Sequence, residues 1–182
     1  MHRKLATGLL LLSGLLPLQA SASEVIVNGK ITSRVTAFVK AWNNLFVTDA
    51  QGGWFDQGLV MQQLGAWDTP YEVQARLRIV SSSGIFQVRL DTPVQIRNSQ
   101  NAALVFRQPK VTLGAEGLEP KTLAVGLNTE FKNPPAPNED EDSVGYYALT
   151  VSAYPPEGNF RDTAGAYSGE LSMTFEPVAV DP

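Results

Sequence analysis

Residues 73–90 read VQARLRIVSSSGIFQVRL, and their alternation decides the fold class. Val73, Ala75, Leu77 and Ile79 share one face of an extended chain, with Gln74, Arg76 and Arg78 on the other. Successive side chains of a strand point to opposite faces, so this period of two belongs to a half-buried strand. After Ser81-Ser82-Ser83-Gly84 the pattern resumes, with Phe86, Val88 and Leu90 alternating against Gln87 and Arg89. Two such runs split by a short polar turn predict an antiparallel β-hairpin.

Outward from this pair the chain repeats the theme. Short strands are expected at 94–97, 103–106, 110–113, 121–125 and 128–131, a longer one at 146–154 and a last one at 167–175. Gly114, Gly117, Pro120 and Gly126 punctuate the middle. Loops are expected at 49–53, at 132–143 with Pro134, Pro135 and Pro137, and at 155–165. Proline and glycine leave no stretch of twelve residues suited to a helix. Many short strands with frequent turns predict one all-β domain, an antiparallel β-sandwich.

The start of the chain reads differently. His2, Arg3 and Lys4 precede a leucine-rich apolar run over 5–18, and Ala20-Ser21-Ala22 offers a small-x-small cleavage pattern. This predicts a signal peptide over 1–22. The apolar run is shorter than the roughly 20 residues of a membrane span, and no later segment of the sequence has the length and apolarity to cross.

Removing residues 1–22 leaves 160 residues with twelve basic and eighteen acidic side chains, a net charge of −6. That sign disfavours nucleic acid as a partner. The only histidine, His2, leaves with the signal, and the chain has no cysteine. A protein without imidazole or thiol has no Ser-His-Asp or Cys-His catalysis, Cys/His zinc site, histidine-ligated haem or thiolate redox chemistry. No enzymatic activity and no cofactor are expected. Without disulfides, stability must come from the core or from other chains.

Two further candidates for chemistry carry bland readings beside the sharp ones. The run Glu139-Asp140-Glu141-Asp142 offers carboxylates to a hard cation but lacks the alternate spacing and glycine of an EF-hand loop. It reads as a solvated loop, and no metal site is expected. Trp42, Trp54-Phe55-Asp56 and Trp67-Asp68 place aromatic rings beside acids, as sugar sites do. The same tryptophans equally serve to cover the ends of a sandwich core.

The segment over 23–40, SEVIVNGKITSRVTAFVK, is extended and β-prone at a chain end. Val25, Val27, Gly29, Ile31, Ser33 and Val35 share one face at period two. Two readings stand: the first strand of the domain's own sheet, or a strand given to another molecule.

Several passages resemble the alpha-type chaperone–usher fimbrial major subunits, the pilins of the colonisation-factor antigen and coli-surface-antigen-one type. They are Gln87-Val88-Arg89-Leu90-Asp91-Thr92-Pro93, Val151-Ser152-Ala153-Tyr154-Pro155, and Thr163-Ala164-Gly165-Ala166-Tyr167-Ser168-Gly169 with the alternating strand after it. Ile31-Thr32 and the alternation that follows are similar to that family's mature N-terminus. The resemblance implies an immunoglobulin-like antiparallel β-sandwich that lacks a strand and is completed by donor-strand exchange. It implies a donor extension over 23–36 bearing Val25, Val27, Ile31, Ser33 and Val35, and a pilin domain over 37–182. The final-strand motif would be Gly165, Tyr167, Gly169, Leu171, Met173 and Phe175. The implied partners are other copies of the chain or related pilins, a periplasmic chaperone, an outer-membrane usher and a tip adhesin. The route runs through the periplasm to a fimbrium on the cell surface, where the fibre supports adhesion. The alternative is a self-contained exported β-sandwich that binds carbohydrate or a host surface as a monomer.

Overall fold

The two alternating runs of 73–90 form strands, but not a hairpin. In the computed structural model, which describes residues 33–34, 44–55, 58–66, 69–138 and 140–179, they become β3 (Tyr71–Ser81) and β4 (Ile85–Leu90). Strand β3 pairs with β2 (Leu45–Asp49) and β9 (Ser143–Tyr154), whereas β4 pairs with β8 (Thr129–Lys132) and β10 (Tyr167–Pro177). The serine-rich turn therefore carries the chain from one sheet to the other. Its backbone is tied to other segments: Ser82 N–H donates to the Asn44 carbonyl, and Asn133 N–H donates to the Gly84 carbonyl. Alternation reports which face of a strand is buried, and two strands facing each other across a core alternate just as two neighbours do.

The remaining elements are β1 (Ser33–Arg34), β5 (Gln95–Asn98), β6 (Arg107–Ala115), β7 (Lys121–Thr122) and a short helix α1 (Phe160–Thr163). One sheet runs β1-β10-β4-β8, with β5 also on β10; the other runs β2-β3-β9-β6-β7. All their pairings are antiparallel except β1 with β10. The chain is thus the all-β sandwich expected.

Four local expectations change. Strand β2 was not foreseen, because Phe46 points outward and is exposed, which spoils the alternation of Leu45 and Val47. Residues 103–106 form a turn with a single bridge from Val105 to Arg97, not a strand. The strand expected over 121–125 stops at Thr122 and continues as isolated bridges from Ala124 and Val125 into a turn at Gly126, whose φ is 70°. The helix α1 occupies the expected loop at 155–165, with the Asn159 side chain accepting from Asp162 N–H at its start.

The core lies between the sheets. Leu77 and Ile79 meet Phe86, Val88, Ile96, Leu113, Tyr147, Leu171, Met173 and Phe175, all essentially inaccessible to water. Each such side chain contributes about 1.5–3 kcal/mol through burial. Phe86 lies edge-on to Tyr147 at 5.3 Å between ring centroids and stacks on Phe131 at 5.6 Å.

One polar network sits at this end of the core. The Asn133 amide donates to the Ile79 carbonyl at 3.0 Å and to the Ser143 carbonyl at 3.1 Å, while its oxygen accepts from the Tyr147 hydroxyl at 2.9 Å. Burial pushes the Tyr147 phenol from 10.0 up to about 12. The fold accommodates the neutral phenol, so this stability is intact below the unfolded-state value and is lost as pH rises through the folded one. Tyr71 is also raised, by burial and then by Tyr167, and acts in the same direction. The urea midpoint is expected to fall as pH climbs from about 10 toward about 12. Tyr147→Phe should flatten that fall while lowering stability at neutral pH, because the Asn133 oxygen loses its donor. An equally steep fall in the variant would assign the effect elsewhere.

Candidate functional site

Among the described residues, the last strand is paired along the whole of one edge and along only two residues of the other. Along the finished edge, β10 pairs Tyr167 with Asn98 through Glu170 with Gln95 on β5, then Met173 with Leu90 through Pro177 with Phe86 on β4. Between these stretches Asp91 N–H donates to the Ser172 carbonyl, and just past the strand Val178 N–H donates to the Ile85 carbonyl. The even-numbered residues thus aim their backbone at β4 and β5. Backbone direction alternates along a strand, so Tyr167, Gly169, Leu171, Met173 and Phe175 aim their N–H and C=O groups at the opposite edge. Four of these residues also bury their side chains in the core.

The final-strand residues expected from sequence are therefore brought together, in two roles at once. Tyr167, Leu171, Met173 and Phe175 fill the sandwich and with Gly169 turn a row of backbone donors and acceptors toward its rim, whereas Gly165 is exposed and precedes the strand. Pro177 has no N–H to offer and closes that row. Strand β2, at the rim of the other sheet, lies close to β10 on the same side.

On the open edge lies β1, running parallel to β10 with Ser33 opposite Leu171 and Arg34 opposite Ser172. Among the described residues no other strand pairs there. Val25, Val27, Ile31 and Val35 lie outside the described residues; Ser33 is the one donor-strand residue the structure places.

The glycines have distinct reasons. Gly165 has φ of 149°, in the region that favours glycine, and a side chain there would strike Asn98 Nδ2 at 2.5 Å. Gly169 serves close approach rather than backbone freedom. It sits inside β10, where a Cβ would come within 2.7 Å of the Gln95 carbonyl oxygen. Tyr167 buries its ring against Phe106 at 5.0 Å and donates its hydroxyl to the Thr163 carbonyl at 2.6 Å.

Sequence reasoning missed Asp91 as a positioning residue. Its carboxylate accepts from Ser172 Oγ at 2.8 Å and from Thr174 Oγ1 at 2.6 Å, on the outer face of β10. Those bonds lock β10 to the point where the chain leaves β4, directly behind the open edge. An aspartate ending a strand before proline is a visible signal, but its partners are not.

The other candidates stay apart. Trp54 lies edge-on to Phe55 at 5.5 Å, and Phe55 packs against the core; Trp42, Asp56, Trp67 and Asp68 lie outside the described residues. Asp140 and Glu141 are exposed, with Glu141 accepting from the Asn138 amide at 2.7 Å, and Glu139 lies outside the described residues.

Comparison with known proteins follows the same line. The family model described as the CS1 type fimbrial major subunit matches residues 30–176. The CooA pilin subunit from enterotoxigenic Escherichia coli superimposes with a TM-score of 0.50 at 12% identity, covering 76% of this chain and 99% of that one. The adhesive subunit CfaE of CFA/I fimbria from the same organism aligns over 67% of this chain and 44% of its own length, at 10% identity and a TM-score of 0.33. No curated protein matches the chain.

Proposed function

Because the chain belongs to the CS1 type fimbrial major subunit family, we propose that its copies join head to tail by donor-strand exchange, with segment 23–36 of one subunit completing the β10 edge of the next. Family membership makes the protein a structural subunit of a cell-surface fimbrium rather than an enzyme. One observation above all supports the exchange reading: five residues of β10 aim backbone groups away from β4 and β5, at an edge where, among the described residues, only Ser33–Arg34 pair.

Unpaired backbone groups along a strand edge are costly and invite aggregation. In this reading a periplasmic chaperone covers the edge first. At the outer-membrane usher, the next subunit's N-terminal strand replaces it. Main-chain hydrogen bonds supply affinity, and every second side chain supplies register. A head-to-tail contact that does not close generates a filament. The fibre ends on a tip adhesin and supports attachment of the cell.

The pairing of Ser33–Arg34 with the chain's own β10 favours a second reading for the subunit in isolation, in which the segment closes its own sheet. Deleting residues 23–36 behind an intact signal separates the two. The deleted subunit is expected to be recovered with the chaperone but to yield no sheared fibres. Fibres from the deleted chain would overturn strand donation. Failure to recover any chaperone-bound subunit would favour the self-contained domain.

A further inference from the structure

Among the described residues, Gln108 on β6 is the one residue other than glycine with a positive φ, 49°. The left-handed region is costly for a residue with a Cβ, and a following proline holds such a residue to extended angles. Gln108 precedes Pro109, so it departs from both preferences. The pairing of β6 with β9 shows why. Arg107 lies opposite Tyr154 and Lys110 opposite Ser152, so Gln108 and Pro109 together face the single residue Ala153. Two residues against one make a β-bulge, with Gln108 in the left-handed position that glycine usually fills.

We propose that this bulge closes the rim of β6 to strands from other chains, a guard that leaves strand addition to β10. The proposal rests on the strand-donation reading above and deepens it, since it says where the same subunit refuses a strand.

The backbone directions carry the inference. Glu116 N–H donates to the Tyr146 carbonyl on β9, whereas the Val111 carbonyl accepts from Leu123 N–H on the other side. Even-numbered residues of β6 therefore aim their backbone at β9, and odd-numbered ones at the rim. Strand β7 pairs there with Thr112 and Leu113. Residues 107–110 are all exposed, and among the described residues they pair with β9 alone. The first rim-facing residue beyond Val111 is Pro109, which has no N–H to offer. An approaching strand meets a missing donor, a kinked backbone beside it, and the exposed charges of Arg107 and Lys110. Arg107 is held in place: its Nε donates to the Pro155 carbonyl at 2.9 Å and its Nη1 to Glu157 Oε1 at 2.8 Å. Proline, charge and a bulge are the means by which a strand rim resists pairing.

The test makes the rim regular. Deleting Gln108 leaves Arg107 opposite Tyr154 and Lys110 opposite Ser152 in one continuous register. Pro109→Thr returns an N–H to the rim. The mature chain carrying both changes is compared with the wild type by thermal unfolding and sedimentation velocity. It is expected to unfold no earlier than the wild type. Its self-association is expected at roughly tenfold lower concentration, because each rim gains main-chain hydrogen bonds. Pro109→Thr alone keeps the bulge and is expected to shift association the same way, but less. Gln108→Gly keeps bulge and proline and relieves the backbone, so it is expected to raise the thermal midpoint and leave association unchanged. A double variant that folds yet associates no more than the wild type would overturn the guard. Should the double variant unfold, equal association by Pro109→Thr and the wild type would overturn it. Association by Gln108→Gly as strong as that of either other variant would trace the effect to a loosened backbone and overturn it too. None of these measurements reads fibres, so the guard stands or falls apart from strand donation, which the deletion of residues 23–36 tests.

Discussion

Ile31→Asp is expected to abolish fibre assembly, and Thr32→Asp, one residue further along, is expected to leave most of it intact. A strand entering between two sheets offers alternate side chains to the interior. Ile31 belongs to the apolar face with Val27 and Val35, between the small residues Gly29 and Ser33, so it is the bulkiest group at the centre of its face. Aspartate there must sit in an apolar slot as a charge or take up a proton, and either is strongly unfavourable. Thr32 lies on the other face, where a carboxylate stays in water. Shearing fibres from cells and recovering the chaperone-bound subunit in parallel reads both effects. Loss of fibres with normal recovery of the Ile31→Asp subunit supports donation. Loss of the subunit itself would make the segment part of a self-sufficient sheet. Equal assembly by both variants would refute the assignment of faces.

The strands were legible because burial of one face leaves a mark every second residue. Ala75, Leu77 and Ile79 on β3 and Phe86, Val88 and Leu90 on β4 are inward as their alternation requires. Which strand lies beside which was not legible. The turn at 81–84 looks like a hairpin turn, and only long-range pairing sends β3 to β9 and β4 to β10. Short strands that break the pattern were missed for a physical reason: among the described residues β2 ends its sheet and Phe46 faces outward, where no polar residue is forced.

At the site itself the alternation of Tyr167, Gly169, Leu171, Met173 and Phe175 marked the inward row, and strand geometry then turns the backbone of that row away from β4 and β5. Asp91 escaped because the hydroxyls it holds lie 81 and 83 residues away, on a strand that sequence gives no reason to place beside it. Gly169 was visible as a glycine but not as a close approach, since the carbonyl it must clear belongs to β5. Local pattern reveals what each residue turns toward the core; contacts made outside the core depend on topology.

Appending a second copy of residues 23–36 behind Pro182, on a flexible linker, is expected to raise the thermal midpoint of the mature subunit by roughly 10 °C or more, given about 2–4 °C per kcal/mol for a domain of this size. The appended strand has no topological constraint on how it approaches β10, so it can pair along the whole row from Tyr167 to Phe175, displacing the contact of Ser33–Arg34. Each Val or Ile it buries contributes about 1.5–3 kcal/mol. Ordering its backbone costs about 1–2 kcal/mol per residue, partly offset by hydrogen bonds worth about 0.5–1.5 kcal/mol each. The balance is several kcal/mol in favour of the filled edge only if the apolar side chains enter the sandwich. The decisive control replaces isoleucine by aspartate in the appended copy alone, leaving Ile31 in place. If burial carries the gain, that control returns the midpoint to the unfused value in scanning calorimetry. A fusion and control with equal midpoints would mean that the edge of β10 holds no groove for a strand.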